Sequence, residues 1–245
     1  MNTSILLLIL ALIGIASYLL GSRRAAALAG GRSAVMHSRS GYHGSYVLLW
    51  AVIPAAIILG IWLIVSPMVI TSTVRGGFPE DVRAQSQAQQ GLAYGMVGAI
   101  ARGMNALSAE ELAAVEAGTT DIRPLLSTRG IALAGDPQPY MIVSAKELND
   151  LTSMSRIAMI VVVLGLALGG AAVSFRSIAP RFRARNRVEK FILTGLILAS
   201  SIAILTTVGI VSSMLFESID FFSRVPPSSF FFGTVMEQNP QTFNA

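Results

Sequence analysis

The chain has 245 residues, of which 53% are hydrophobic and only 13% are charged, and its mean hydropathy is +0.65. Soluble domains average about 25% charged residues, so this composition argues against an ordinary soluble enzyme. Cysteine is absent, which excludes disulfides, iron–sulfur clusters and thiol nucleophiles. In so apolar a chain, the positions of the basic residues are more informative than the net charge of +5.

Four apolar stretches carry no charged side chain and are long enough to cross a bilayer as helices. They are residues 5–20, 46–70, 157–173 and 191–216. The first stretch has an alternative interpretation as a cleaved signal peptide, because Gly14 and Ala16 form a small-x-small pair. A signal peptide needs basic residues before its apolar run, whereas Arg23 and Arg24 follow it here. We therefore expect a retained helix and four spans in all.

The basic residues near the span ends predict the orientation of the chain. Residues 21–45 contain four arginines and no acidic residue, and residues 174–190 contain six basic side chains and one acidic side chain. Short loops rich in Lys and Arg stay in the cytoplasm. The long segment 71–156, with seven basic and nine acidic side chains, is then extracytoplasmic, together with both ends of the chain.

The long segment 71–156 has the features of a folded insert. Residues 80–104 contain few helix breakers apart from glycines, which predicts one longer helix. Ser108 and Glu111 have the spacing of a capping box, which begins a second helix, and Gly118 lies where that helix would end.

A second capping box, Ser144 to Glu147, predicts a helix that continues through Leu151 into the third span. Short strands at residues 131–133 and 140–143 are an alternative for those two stretches. The sequence therefore predicts an all-α integral membrane protein with about four transmembrane helices and a small, mainly helical extracytoplasmic insert.

This organisation divides the chain into four parts. A two-span part with a basic cytoplasmic loop occupies residues 1–70, and the extracytoplasmic insert occupies residues 71–156. The third span and a basic cytoplasmic elbow occupy residues 157–190. The fourth span and the start of a periplasmic loop occupy residues 191–245.

Motifs for nucleotide or hydrolytic chemistry are missing from the sequence. There is no GxxxxGK[ST], GxGxxG, HExxH or GxSxG. The acidic pairs Glu80-Asp81 and Glu110-Glu111 are adjacent residues, which point about 100° apart on a helix and usually complement its dipole. We therefore predict no catalytic and no cofactor-binding residue.

The two histidines, His37 and His43, lie six residues apart in a basic segment without nearby carboxylates. We expect a solvated loop there and no metal site. The basic run 176–190 is flanked by few aromatic residues, so nucleic-acid binding is not expected. It is either a determinant of topology that touches anionic lipid or an elbow that contacts a cytoplasmic partner.

Small and hydroxyl residues in the spans predict helix packing. Gly165 and Gly169 form a GxxxG, which suits either a specific dimer face or general bundle packing, and Gly170 extends the small face. Seven Ser and Thr side chains make the fourth span unusually polar. We expect that span to pack inside a larger bundle, with its hydroxyls bonded to neighbouring helices or to its own backbone.

Residues 185–234 contain several motifs that resemble one transporter family. They are the runs Arg185-Asn186-Arg187-Val188-Glu189-Lys190 and Ser201-Ile202-Ala203-Ile204-Leu205-Thr206-Thr207-Val208-Gly209-Ile210-Val211, followed by Glu217, Phe221-Phe222-Ser223-Arg224-Val225 and Phe232-Gly233-Thr234. This region resembles the first core helix of PstC-type permeases, the membrane subunits of the bacterial phosphate ABC importer. Residues 1–184 resemble the longer N-terminal extension of some of these proteins. The family usually has Trp shortly after Phe-Gly-Thr, whereas this chain has Met236.

The resemblance implies a multi-pass protein of the bacterial inner membrane that is part of an ATP-driven phosphate importer. Its implied partners are a second permease subunit of PstA type, ATPase subunits on the cytoplasmic side, a periplasmic phosphate-binding protein and the lipid bilayer. ATP hydrolysis would belong to the ATPase subunits. The family's remaining core helices and its phosphate pathway correspond to positions beyond residue 245, so we expect an N-terminal part of a permease or a truncated product, inactive alone, and substrate-binding residues stay unassigned.

Two other functions fit the same sequence. A membrane sensor or accessory protein would use the insert 71–156 to bind a ligand or a partner, although both predicted cytoplasmic segments are short. A structural bundle protein that stabilises another complex is the third interpretation.

Overall fold

The computed structural model describes residues 3–30, 38–133 and 135–232, and this part of the chain is helical without any strand. The helices, in chain order, are α1 (Thr3–Ala29), α2 (Ser40–Gly76), α3 (Glu80–Arg83), α4 (Gln87–Met104), α5 (Ala109–Glu116), α6 (Ile122–Thr128), α7 (Pro139–Arg176), α8 (Ala184–Arg224) and α9 (Pro227–Phe232). The all-α prediction is confirmed, and the alternative of two short strands is wrong. Residues 131–133 form a loop, and residues 140–143 belong to α7.

Four of the helices, α1, α2, α7 and α8, are long and apolar enough to cross a membrane, as predicted. Each contains one predicted apolar stretch and extends beyond it at one or both ends. The longest extension belongs to α7, which begins at Pro139, well before its apolar stretch, and α2 also continues past its stretch towards the insert. The chain divides into two compact units, residues 1–185 and residues 186–245.

In the first unit, α1, α2 and α7 pack closely because glycines lie at their crossings. A Cβ atom on Gly44 of α2 would lie 2.6 Å from the carbonyl oxygen of Tyr18 in α1. A Cβ on Gly170 of α7 would lie 2.2 Å from the carbonyl oxygen of Trp50 in α2. Only glycine permits backbones to approach this closely. Between the crossings, the three helices bury an apolar cluster that includes Leu10, Leu59 and Val163.

The insert packs on the ends of α2 and α7 rather than forming a separate body. Its apolar core combines Phe78, which follows α2, and Ala145 of α7 with Ile100 of α4 and Leu126 of α6. Gly103 lies where α4 meets α6, and a Cβ there would be 2.3 Å from a methyl group of Leu126. This shared core joins the insert to the two spans that carry it.

The helix predicted over residues 80–104 is interrupted, and the cause is a capping box that sequence reasoning missed. Residues 80–83 form α3, and a new helix, α4, begins after Ser86. The Ser86 hydroxyl accepts from the backbone N–H of Gln89, while the Gln89 side chain accepts from the backbone N–H of Ser86. The sequence Ser86-Gln87-Ala88-Gln89 has the required S-x-x-Q spacing, so the signal was present.

Of the two predicted capping boxes, one is confirmed and one is wrong. Ser108 and Glu111 form both reciprocal hydrogen bonds at the start of α5, and Gly118 lies just beyond its end with φ of +70°. Ser144, in contrast, is a buried residue inside α7. That helix begins five residues earlier at Pro139, because proline is well suited to the first helical turn. As predicted, it continues through Leu151 into the third span.

The second unit contains most of α8 and the short helix α9. No residue between 191 and 216 is buried. Within residues 191–216, four hydroxyls bond to carbonyls four residues earlier in the same helix; these are Thr194, Ser201, Thr206 and Thr207. The helix's own backbone therefore satisfies them, which is one of the two arrangements predicted. Packing of this span inside a larger bundle stays a prediction.

Candidate functional site at the junction of the spans and the insert

A chain of polar side chains connects α2 and α7 near the ends of the spans that adjoin the insert. The indole N–H of Trp62 donates to the hydroxyl of Ser155 at 3.0 Å, and the hydroxyls of Ser66 and Ser155 are 2.5 Å apart. One turn further along α2, the hydroxyl of Thr71 lies 3.1 Å from that of Tyr94 in α4. These polar groups lie at the level where the apolar spans give way to the insert.

The same side chains line a cavity of about 300 Å³, which we call the junction pocket. Its walls come from α2, α7, Tyr94 of α4 and Thr3 at the start of α1, and it also includes Arg156. The deeper wall is apolar and contains Leu63 and Met159. The pocket is thus amphipathic, with a guanidinium and hydroxyls beside a hydrocarbon surface.

Two arginines give the junction pocket its charge. Arg156 lines it and has no ion-pair or hydrogen-bond partner in the described part of the chain. Arg75 lies over the ring of Tyr94, with its guanidinium carbon 5.1 Å from the ring centroid, a distance typical of a cation–π contact. The Nε of Arg75 is buried without a hydrogen-bond partner among the described residues. From the sequence, Arg156 counted only among the seven basic residues of segment 71–156, and this pocket was not predicted.

The insert carries a second cavity, which we call the insert groove. It measures about 570 Å³ and lies between α4 and the loop that leads into α7. Gly91 and Gly95 leave space along its floor, and the polar side chains at its edges include Asp81, Gln85 and Tyr140. A carboxylate, an amide and a phenol at the edge of a groove suit a ligand with hydrogen-bonding or positively charged groups.

The basic elbow after α7 combines buried apolar anchors with exposed arginines. Ile178 and Ala184 are buried, whereas Arg181 and Arg183 are exposed. At the end of α1, the guanidinium of Arg24 lies 4.5 Å from the ring centroid of Phe175. The anchors fix the elbow, and the exposed guanidinium groups are available to lipid or to a partner.

The prediction of a solvated loop at the histidines is wrong for His43. This residue lies in the first turn of α2 and is fully buried, with its ring 6.0 Å from that of Phe182. Neither of its ring nitrogens has a hydrogen-bond partner in the described structure. His37 lies outside the described residues. The described residues bring together no group of three or more His, Asp or Glu side chains that could hold a metal ion.

The acidic pairs occupy helix starts in the insert. Glu80 approaches Arg83 to within 3.8 Å, and Asp81 borders the insert groove. Glu111 accepts from the backbone N–H of Ser108 at 2.8 Å and lies 3.0 Å from a guanidinium nitrogen of Arg129. The backbone hydrogen bond is the main cause that lowers the pKa of the Glu111 carboxyl, and the charge of Arg129 adds to it. A carboxylate held in this way caps a helix.

Within the first unit, the close contact of α7 with α2 does not use the two glycines of the GxxxG. A Cβ on Gly165 or Gly169 would meet nothing within 4 Å, whereas Gly170 packs directly on the backbone of α2. Gly170, which lies next to the motif, allows α7 to approach α2 closely. A dimer face at Gly165 and Gly169 stays a prediction.

The fold and these surfaces define a multi-pass helical membrane protein with a folded insert between its second and third spans. A family model described as "Phosphate ATP-binding cassette transporter" matches residues 7–172. The match covers more than half of the chain, and the chain belongs to this phosphate transporter family. No curated protein and no solved structure matches the sequence.

Proposed function

We propose that the chain is a permease-type membrane subunit, or the N-terminal part of one, of an ATP-driven importer of inorganic phosphate. The observation that carries the proposal is the family match over residues 7–172, which includes α1, α2, the whole insert and most of α7. A phosphate transporter component that consists mainly of four apolar helices is best explained as part of the membrane channel.

A second observation supports the permease assignment from a different part of the sequence. The motifs that resemble the first core helix of PstC-type permeases lie in residues 185–234, which the family match does not include. Two non-overlapping regions therefore indicate phosphate transport. The first core helix would be α8, whose exposed apolar surface suits contact with further membrane helices.

The proposal assigns distinct tasks to the partner proteins. A second permease subunit of PstA type would complete the membrane pathway, ATPase subunits would bind on the cytoplasmic side, and a periplasmic phosphate-binding protein would deliver the ion. This chain would supply membrane helices and the insert, and the ATPase subunits would hydrolyse ATP. The exposed arginines of the basic elbow are on the predicted cytoplasmic side.

Phosphate uptake tests the proposal directly. Cells that lack the locus would be complemented with the reading frame that encodes this chain and any continuation of it, and uptake of radiolabelled phosphate would be measured. We expect uptake to be restored, while uptake of sulfate in the same cells stays at the level of the empty vector. Phosphate uptake equal to that of the empty vector would contradict the proposal.

The predicted orientation has its own test, which the absence of native cysteine makes simple. Thr120→Cys lies in the exposed part of the insert, and Ala179→Cys lies in the exposed elbow after α7. A membrane-impermeant maleimide applied to spheroplasts should label the first variant and spare the second, and both should react after the membrane is disrupted. Labelling of Ala179→Cys in intact spheroplasts would reverse the proposed topology.

The insert groove favours a second candidate function, a membrane sensor or accessory protein that binds a ligand or partner through the insert. Its polar edge and its open glycine floor support this alternative. Calorimetric titration of the detergent-purified chain with candidate small ligands that carry positively charged groups tests it. Saturable binding that Asp81→Asn weakens and Asp150→Asn leaves unchanged would favour the alternative, and no measurable heat would count against it.

A further inference from the structure

We propose that the junction pocket binds a phosphate-type anion, either the headgroup of an anionic phospholipid in the leaflet beside the insert or free inorganic phosphate. This binding site goes beyond the proposed transport function and depends on none of its steps. Three properties of the pocket suit such an anion: its positive charge, its unused hydrogen-bond donors and its apolar wall.

The charge of the pocket is entirely positive. Arg156 is the only charged residue among the side chains that line it, and it has no partner in the described part of the chain. Arg75 adds a second guanidinium beside the lining residue Tyr94, and its Nε is an unsatisfied buried donor among the described residues. Guanidinium groups bind phosphate through paired hydrogen bonds, so an anion of this kind would satisfy both arginines.

The hydroxyl pairs supply further donors. Ser66 and Ser155 have two hydroxyl protons, and the hydrogen bond between them uses one. Ser155 also accepts from Trp62, which leaves one hydroxyl proton of the pair without an acceptor among the described residues. Thr71 and Tyr94 share a single hydrogen bond in the same way. An oxyanion would accept hydrogen bonds from these two hydroxyl groups and from the guanidinium N–H groups.

The apolar surroundings strengthen binding and indicate an amphiphile. Met159 and Leu63 give the pocket an apolar wall, and charge-assisted hydrogen bonds gain strength in apolar surroundings. Trp62, Ser66 and Ser155 also line a second groove of about 550 Å³ between α2 and α7, whose other walls are almost wholly apolar. A phospholipid could place its phosphate near Arg156 and an acyl chain in this groove, whereas a free ion would occupy only the polar part.

Tryptophan fluorescence gives a probe inside the pocket. The chain has two tryptophans, and Trp50→Phe leaves Trp62, which lines the pocket, as the only one. This full-length variant, purified in a neutral detergent, would be titrated with phosphatidylglycerol, with phosphatidylcholine and with inorganic phosphate. We expect a saturable change in Trp62 emission with phosphatidylglycerol, at concentrations about tenfold lower than any change with phosphatidylcholine.

Variants in the same background test the arginines. Arg156→Gln should weaken phosphatidylglycerol binding about tenfold or more, because a charge-assisted hydrogen bond is lost, and Arg156→Lys should lose less. Arg102→Gln is the matched control, since Arg102 is exposed at the end of α4 and does not line the pocket. Its affinity should equal that of the parent, and thermal midpoints in detergent should show that all variants are folded.

These titrations distinguish a lipid headgroup from free phosphate, and they can also contradict anion binding altogether. If inorganic phosphate changes the Trp62 emission and phosphatidylglycerol does not, the pocket holds the free ion. If only phosphatidylglycerol acts, the pocket holds a lipid headgroup. Equal responses to phosphatidylglycerol and phosphatidylcholine, together with equal affinities of Arg156→Gln and Arg102→Gln, would overturn the proposal.

Discussion

The first three spans and the fourth span differ in how they use similar apolar sequences. In α1, α2 and α7, buried residues form a continuous cluster, and glycines allow backbones to touch at the crossings. In α8, no residue from 191 to 216 is buried, and neither Gly195 nor Gly209 has a neighbour within 4 Å of its Cβ position. Hydropathy alone would not distinguish the two regions, because all four helices satisfy the same criterion for spanning a membrane.

Within the first unit, the position of small residues, rather than apolarity alone, decides where the spans approach one another. Lipid surrounds an apolar side chain as favourably as a neighbouring helix does, so association depends on close backbone contact and on hydrogen bonds. The first three spans have both, through Gly44, Gly170 and the hydrogen bond from Trp62 to Ser155. In the fourth span, four hydroxyls instead bond to carbonyls of the same helix.

The largest effect is expected at the crossing of α2 and α7. In Gly170→Ala, the new Cβ would lie 2.2 Å from the carbonyl oxygen of Trp50, so the helices must separate. We expect a loss of about 3 kcal/mol or more, because the obstruction is backbone and cannot rotate away. The thermal midpoint of the purified chain in detergent measures the loss.

Gly169→Ala is the matched control for this crossing, since its Cβ would enter open space. It should leave the midpoint unchanged or raise it slightly, because alanine favours helix more than glycine does. Equal midpoints for the two variants would show that α2 and α7 do not meet at Gly170.

A smaller effect is expected in the insert. In Gly103→Ala, the Cβ would lie 2.3 Å from a methyl group of Leu126, which is a flexible side chain and can move in part. We expect a loss of about 1–3 kcal/mol, and hydrogen exchange should rise in α4 and α6 but not in the membrane part of α1. Gly98→Ala in the same helix meets only the end of Arg102 at 3.7 Å and should be neutral. A loss of similar size in Gly98→Ala would contradict the contact with Leu126.

The features that sequence predicted well are those with a local physical cause. A long apolar run without a charge must be helical in lipid, so the four spans followed from composition alone. The capping box of Ser108 and Glu111 depends only on residues three apart, and it was recognised for that reason. The same rule, applied to Ser86 and Gln89, would have found the break between α3 and α4.

The features that sequence did not predict depend on contacts between distant residues. Ser144 has the spacing of a cap, yet Pro139 begins the helix earlier and leaves Ser144 inside it. His43 lies in a basic segment, yet packing against Phe182 buries it. The junction pocket combines Thr71, Tyr94 and Arg156, which come from three different helices. No periodicity or spacing in one segment indicates such a combination.

A pH effect is expected at the start of α5 and concerns only the insert. The pKa of Glu111 is lower in the folded state than in the unfolded state, so the charged carboxylate stabilises the fold. This stabilisation is complete above the ordinary pKa of a glutamate, near 4.3. It is lost as the pH falls through the lower pKa of the folded state. Glu111→Gln keeps a side chain that can accept from Ser108 but lacks the charge, so it should be less stable than the parent at neutral pH.

Melting curves recorded from pH 7 downwards measure this effect, and the difference between parent and Glu111→Gln should shrink in the acidic range. Glu110→Gln is the control, since Glu110 lies in the same first turn of α5 and no ion pair involves it among the described residues. A difference between parent and Glu111→Gln that does not change with pH would exclude the charge of Glu111 as its cause.

The smallest effect on the stability of the purified chain is expected in α8. A variant there is also the most informative for the comparison of α8 with the first three spans. Gly209→Ala adds a methyl group where the structure shows no neighbour, so the stability of the purified chain should change by less than about 0.5 kcal/mol. If α8 contacts further helices of an importer through this face, as its exposed apolar surface suggests, the same variant should lower phosphate uptake in complemented cells without lowering the amount of protein. Ile204→Leu, an exposed apolar exchange on the same helix, provides the matched control and should preserve uptake. Uptake that is unchanged in Gly209→Ala would mean that no helix approaches closely at this glycine, and the contacts of α8 would then have to lie on another face.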